Sequence, residues 1–319
     1  PEASGPGEFQ GVAERVRRLR AQLAPHDGAH RFRDLGVDVY LGAARFTGPD
    51  EVEVDGRRLR FRRAVIATGG RPRIPPIPGL AESGALTNET VFDLVERPDR
   101  LVVLGAGPIG CELGQAFARF GSAVTIVDRG ARVLHRDDPD AARLVQTALE
   151  RDGVRFALNA TVLGVDSGEG ARTVRLRQDA REIVVPADAV LVAAGRAPNV
   201  EGLGLDEAGV RAGERGVVVD DRLRTTNPRV YAVGDVASPH RFTRAADAHA
   251  RLVIANALFR GRGRVSRLVM PWCTYTSPGL AHVGPSVAEL QAAASTESLT
   301  VPLADVDRAV LDGDDAGTC

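Results

Sequence analysis

The residues of this chain whose types and spacing suit a chemistry are three glycines and an acid. Gly105-Ala106-Gly107-Pro108-Ile109-Gly110 carries a GxGxxG pattern, and Asp128 stands about 20 residues further on. Gly105 permits a tight turn. Gly107 lets the backbone approach a pyrophosphate with no Cβ between them, and Gly110 lets a helix pack closely on a strand. Ala106 and Ile109 fill the variable positions, and Pro108 opens the helix where no N–H donor is needed. The free N–H groups and positive end of that helix would meet the pyrophosphate charge. Asp128 is placed to accept from the adenosine ribose hydroxyls, which favours NAD over NADP because a 2′-phosphate would be repelled. Arg129 and Arg132 follow it, and guanidinium groups there can hold that phosphate; the other reading of both is solvated surface. The competing reading of the whole string is a strand–turn–helix without a ligand.

Such a site must be carried by a parallel sheet with helices on it. Leu101–Leu104 is all apolar, as expected of a strand covered on both faces. A helix is expected from Pro108 to Phe120, then a strand over Ala123–Val127, a helix from Pro139 to Arg151 and a strand over Val154–Leu158. A β-meander is expected over Thr161–Val185, and the strand Ala189–Ala194 ends in Gly195-Arg196. This alternation predicts a doubly wound α/β domain.

On the N-terminal side, Val12, Val16, Leu19 and Leu23 share one face of a helix expected from Glu8. Short strands are expected at Val37–Leu41, Glu51–Val54 and Leu59–Phe61, around the turn Asp55-Gly56. The strand Ala64–Ala67 then ends in Thr68-Gly69-Gly70. Pro72, Pro75, Pro76 and Pro78 make the strongest linker signal in the chain. Beyond Asn199, short strands are expected at Val217–Val219 and Val230–Val233, an Ala-rich helix over Thr243–Phe259, and β structure again at Trp272–Thr276.

Three more strings, Val65-Ile66-Ala67-Thr68-Gly69, Gly195-Arg196-Ala197-Pro198-Asn199 and Val230-Tyr231-Ala232-Val233-Gly234-Asp235, flank the central fingerprint in a fixed order. With Pro271-Trp272-Cys273-Thr274-Tyr275-Thr276, they resemble the pyridine nucleotide–disulfide oxidoreductase family, in its mercuric reductase and dihydrolipoamide dehydrogenase branch. The resemblance implies an α/β fold of two Rossmann-like FAD- and NAD(P)-binding domains, the first incomplete, followed by the start of an α+β dimerisation domain. It places the flavin domain at 1–98 and 206–266, the nicotinamide domain at 99–205 and the dimerisation segment at 267–319.

The resemblance also implies roles. Asp235, after Gly234, would accept from a ribitol hydroxyl of FAD, and the backbone of Thr243 would lie near the flavin pyrimidine edge. Ala44 would offer a backbone contact on the adenine side. Thr68 and Gly69 mark the exit from the flavin domain, while Gly195 and Val162 would touch the nicotinamide and adenosine parts. The cofactors implied are FAD and NAD(P), the assembly a homodimer. Hydride would pass from nicotinamide to flavin and on to a disulfide or metal-ion acceptor. A flavin NADH oxidase, a quinone reductase and a non-catalytic redox-sensing module are the alternatives.

Departures from the pattern matter equally. The family's first GxGxxG, its CxxxxC redox pair and its C-terminal His-Glu pair have no match here, so the catalytic residues are not assigned. The chain is expected to be a fragment of weak or no activity on its own. Glu112 matches a family glutamate that pairs with a lysine, yet all 41 basic residues are Arg. Gly279 stands where relatives carry an acid, and Pro285 lies in a usually Pro-free strand region.

Bulk properties narrow the classes. A formal net charge of −1 gives no field favouring nucleic acid or an anionic membrane. No apolar run reaches the roughly 18–20 residues of a membrane span, and no signal peptide is read, so a cytoplasmic setting is expected. Cys111, Cys273 and Cys319 lack metal-type spacing and are expected to be reduced thiols, with no metal site.

Overall fold

The computed structural model describes residues 6–168, 172–287, 289–290, 297, 299–312 and 317–318. The elements open with α1 (Pro6–Asp27), α2 (Ala29–Asp34), β1 (Ala44–Gly48), β2 (Glu51–Val54), β3 (Arg57–Arg60), β4 (Ala64–Ile66) and β5 (Gly70–Pro72). Then come β6 (Arg100–Leu104), α3 (Pro108–Arg119), β7 (Ala123–Val127), α4 (Pro139–Arg151) and β8 (Arg155–Ala157). Next are β9 (Ala160–Ser167), β10 (Arg172–Gln178), β11 (Arg181–Ala187), β12 (Ala189–Val192) and β13 (Arg196–Pro198). The remaining main elements are β14 (Ala212–Gly213), β15 (Gly216–Val217), β16 (Val230–Ala232), α5 (Thr243–Leu258), β17 (Pro271–Thr274) and β18 (Leu280–Val283). By contacts the chain divides into two compact units, one from 1–18, 72–195 and 273–319, the other from 19–71 and 196–272. Cys319 lies outside the described residues.

The first unit is built on a four-stranded sheet in the order β12-β6-β7-β8, all parallel. Because side chains alternate along a strand, β6 feeds two cores. Leu101 and Val103 join Ile126, Leu191, Cys111, Phe117 and Leu149 on the side of α3 and α4. Val102 and Leu104 face the other way, with Val165, Val174 and Leu176 of the antiparallel β9-β10-β11 sheet. All four are buried, which explains an unbroken apolar run where a half-exposed strand would alternate. Residues 72–98 pack in this unit, where Leu86 bridges to Leu191.

The helices start in two different ways. At α4, the Asp138 side chain accepts from the N–H groups of Asp140 and Ala141, with Pro139 first in the helix. At α3, Gly107 is the N-cap and no side chain caps the first turn. The turn's N–H groups therefore have no intrahelical partner and no cap.

The second unit holds the β1-β2-β3 antiparallel sheet and the parallel pair β4–β16. Ile66, Val230 and Ala232 share a core with Phe46, Val217 and Val236. Tyr231 and Val233 point the other way, toward Leu252 and Val253 of α5.

Two local expectations change. Residues 37–41 form no strand, and Val37 and Leu41 are exposed: their apolar spacing finds no partner ladder. The helix α1 extends to Asp27 through Pro25, but the residues it buries are Phe9 and Ala13. Leu19 and Leu23 of the expected face are exposed, because only the first turns meet Phe117 and Phe120.

Candidate dinucleotide-binding site

The glycines of the fingerprint are required for different reasons. Gly105 has φ +115°, and a Cβ there would lie 2.5 Å from the carbonyl oxygen of Ala193. A Cβ on Gly110 would lie 1.9 Å from the carbonyl oxygen of Gly105, and one on Gly114 would lie 2.8 Å from Cδ1 of Ile126. These three are explained by the closeness of α3 to β6, β7 and the end of β12. Gly107 is not: its φ is −79°, and a Cβ there would meet nothing within 4 Å. The protein leaves the space beside the Gly107 Cα open at the uncapped N-terminus of α3.

Asp128 closes one side. Its Oδ2 accepts the Ala106 N–H at 2.7 Å, and its Oδ1 accepts the Gly130 N–H at 2.6 Å. The parallel pairing of β6 with β7 brings this acid, at the end of β7, beside the turn that ends β6. Carboxylate oxygens accept more than one bond, so Asp128 keeps capacity for hydroxyl donors. Pro108 and Ile109 are half-buried in the first turn of α3, and Ala106 is buried. Arg129 is exposed, whereas Arg132 turns back to the carbonyls of Leu134, His135 and Asp137. Gly195, at φ +99°, follows β12, the neighbour of β6. Val162 lies in β9, packed against the second core.

The sequence offers Glu112 no lysine partner. In the structure its Oε1 accepts the N–H of Tyr275 at 2.8 Å. Burial pushes this carboxyl above its ordinary range, and the hydrogen bond from Tyr275 opposes the shift. Gln115 binds the same segment, accepting from the Ser277 N–H and donating to its carbonyl at 2.8 Å each. Neither contact had a local signal, since the partners lie more than 160 residues apart. Cys111 is fully buried, and burial with nearby carboxylates pushes its thiol up to about 12. It is no ready nucleophile. Neither Cys111 nor Cys273 forms a disulfide, and no group of metal-ligating side chains occurs among the described residues.

In the second unit, β4 and β16 run side by side and end together, which sets Thr68, Gly69 and Gly70 beside Gly234 and Asp235. A Cβ on Gly70 would lie 3.3 Å from Cβ of Asp235. Gly69 and Gly234 take positive φ values of +68° and +71°, as each strand turns sharply at its end. Thr68 Oγ1 donates to the Asn199 carbonyl at 2.7 Å. Asp235 Oδ2 accepts from Nε of Arg196 at 2.8 Å, and Arg196 also donates to the Gly70 carbonyl. Arg196 follows Gly195 directly, and a charge just after a buried strand is the signal in the sequence that marks it. Thr243 begins α5, whose Ala246 approaches Gly234. Ala44 opens β1, in a different sheet from β4 and β16.

Within α5, His249 is 1% exposed, and neither ring nitrogen has a hydrogen-bond partner. Burial, with a smaller effect of His240, lowers its affinity for a proton. The sequence carries no signal for it, because nothing in an Ala-rich helix marks which face is covered.

The chain is 35% identical over 288 residues to a mercuric reductase of Bacillus cereus, covering 89% of this chain and 45% of that protein. It is 36% identical over 255 residues to a dihydrolipoyl dehydrogenase of Thermus scotoductus, covering 78% of this chain and 54% of that one. The chain thus spans about half the length of these curated relatives. Among solved structures it matches the HOCl-induced flavoprotein disulfide reductase RclA of Escherichia coli with a TM-score of 0.87 at 29% identity, over 97% of this chain and 72% of RclA. No described helix is long and apolar enough to cross a membrane. The sequence profile of the pyridine nucleotide-disulphide oxidoreductases matches residues 10–251, and the chain belongs to that family.

Proposed function

We propose that this chain supplies the nicotinamide-dinucleotide site, and part of the flavin site, of an FAD-dependent NAD(P)H oxidoreductase of the mercuric reductase or dihydrolipoamide dehydrogenase kind. The observation that carries it is Gly107. It is the one fingerprint glycine whose missing side chain the protein's own packing does not explain, at a helix start with no cap. A diphosphate fits there: it needs close backbone approach, free N–H donors and the positive end of a helix.

On this reading 99–205 is the nicotinamide domain, 1–98 and 206–266 belong to the flavin domain, with 72–98 a connector that packs on the nicotinamide domain's sheet, and 267–319 opens the dimerisation domain of a cytoplasmic homodimer. When bound, the nicotinamide and flavin supply the hydride chemistry. The protein's residues bind and orient. Gly105–Gly110 would hold the pyrophosphate, Asp128 would accept from the adenosine ribose, and Gly195 would touch the nicotinamide part. Thr68, Gly69, Gly234, Asp235 and Thr243 form the flavin side, with Arg196 fixing the Asp235 carboxylate. NAD is preferred, because the carboxylate of Asp128 repels a 2′-phosphate.

Titration of the purified chain with NADH and NADPH tests this. Binding of NADH, tighter than NADPH, is expected. Asp128→Ala should weaken NADH by about 10- to 100-fold, the worth of hydrogen bonds to a charged acceptor, and erode the preference. Failure of both coenzymes to bind the folded chain would remove the reading. Light scattering then distinguishes monomer from dimer.

A further inference from the structure

Arg132 is the basic residue near Asp128 whose side chain is fully described by its contacts. Nη1 donates to the Leu134 carbonyl at 3.0 Å. Nη2 donates to the carbonyls of His135 at 2.8 Å and Asp137 at 3.0 Å. One guanidinium therefore gathers three carbonyls of a loop that has no strand or helix to satisfy them. The loop is otherwise tightly fixed: Val133, Leu134 and Asp137 are buried, Leu134 takes a left-handed φ of +45°, and the Asp137 N–H donates to the Leu134 carbonyl at 2.9 Å.

The loop in turn holds the fingerprint. The Leu134 N–H donates to the Ala106 carbonyl at 2.9 Å, while the Ala106 N–H donates to Asp128 at 2.7 Å. Ala106, between the first two glycines, is thus gripped from both ends of its residue, once by the acid and once by the loop that Arg132 closes. A planar guanidinium binds phosphate through two parallel N–H donors. In Arg132 both Nη atoms already serve carbonyls, so presenting that edge to a phosphate would break all three of these bonds.

We propose that Arg132 is a positioning residue for the dinucleotide cradle, acting through the 133–137 loop on Ala106, and takes no part in recognising a 2′-phosphate. This deepens the nicotinamide reading and rests on it. Loss of Arg132 then loosens the cradle for NADH and NADPH alike.

The test is the dissociation constant of each coenzyme for the whole chain and for Arg132→Gln and Arg132→Lys. It is measured well below each variant's Tm, where loss of global stability alone leaves binding unchanged. The expected result is a 3- to 10-fold weakening of both coenzymes, with the NADH-to-NADPH ratio held within twofold of the starting chain. Arg132→Lys keeps the charge but not the planar fork, so it should show the same equal loss; it also carries the test alone if Arg132→Gln does not fold. Hydrogen exchange without ligand should speed up at the Ala106 and Leu134 amides in both variants. Selective loss of NADPH in Arg132→Gln, with NADPH binding kept in Arg132→Lys, would overturn the proposal. So would unchanged binding of both coenzymes by folded variants. If the starting chain binds neither coenzyme, the nicotinamide reading itself falls, and exchange at Ala106 still reports whether Arg132 holds the loop.

Discussion

Glu112, on the glycine-rich helix α3, accepts the backbone N–H of Tyr275 at 2.8 Å, so an acid beside the cradle holds the segment that follows β17. Burial raises this carboxyl's pKa despite the bond. A carboxyl with a folded pKa above its unfolded value of about 4.3 contributes stability below that value and loses it as pH rises through the folded one. Glu112→Gln keeps an acceptor oxygen without the charge. It should match the starting chain near pH 4 and exceed it at pH 7, by less than about 1 kcal/mol because the site is partly screened by water. Urea midpoints at the two pH values check this, and a variant weaker at pH 7 would show that the charged bond dominates.

Gly107 and Gly110 should separate folding from binding. Gly107→Ala adds a methyl group where nothing lies within 4 Å, so its Tm should stay close to that of the starting chain while NADH binding weakens at least about 10-fold. Gly110→Ala forces a methyl group to 1.9 Å from the Gly105 carbonyl oxygen and should lower stability by about 1–3 kcal/mol. Thermal melts paired with NADH titration decide. Equal loss of stability in both variants would mean that Gly107 is structural.

His249 predicts a pH dependence of opposite sign to that of Glu112. Its folded pKa is depressed by burial, with His240 adding in the same direction. The unfolded chain takes up the proton near pH 6.5 while the folded chain resists, so stability is full above about pH 6.5 and falls below it. The slope is at most about 1.4 kcal/mol per pH unit, the value for one proton. His249→Leu should flatten the change in Tm between pH 7.5 and 5.5. An unchanged slope would place the effect elsewhere.

The two described thiols should differ in reactivity. Cys111 is fully buried with a pKa pushed up to about 12, while Cys273 is half-buried. Because the thiolate is the nucleophile, iodoacetamide at pH 8 should modify Cys111 at least about 100-fold more slowly than Cys273 in the native chain. Peptide mapping by mass spectrometry measures both. Comparable rates would mean that the core around α3 opens readily.

The sequence by itself determined the parallel sheet and its fingerprint. The apolar run Leu101–Leu104, the glycines at Gly105, Gly107 and Gly110, and the acid at Asp128 are local patterns whose periods and conformational needs can be read one segment at a time. The meander of β9, β10 and β11 was legible for the same reason. Tertiary structure alone decided which residues those patterns meet. It left residues 37–41 without a partner strand and exposed Leu19 and Leu23. It paired Arg196 with Asp235 and Glu112 with Tyr275, and it turned Arg132 onto the loop carbonyls of Leu134, His135 and Asp137. Backbone periodicity is set by neighbours along the chain. A buried charge or an unsatisfied carbonyl takes its partner from whatever the fold brings near, and spacing along the chain does not carry that information.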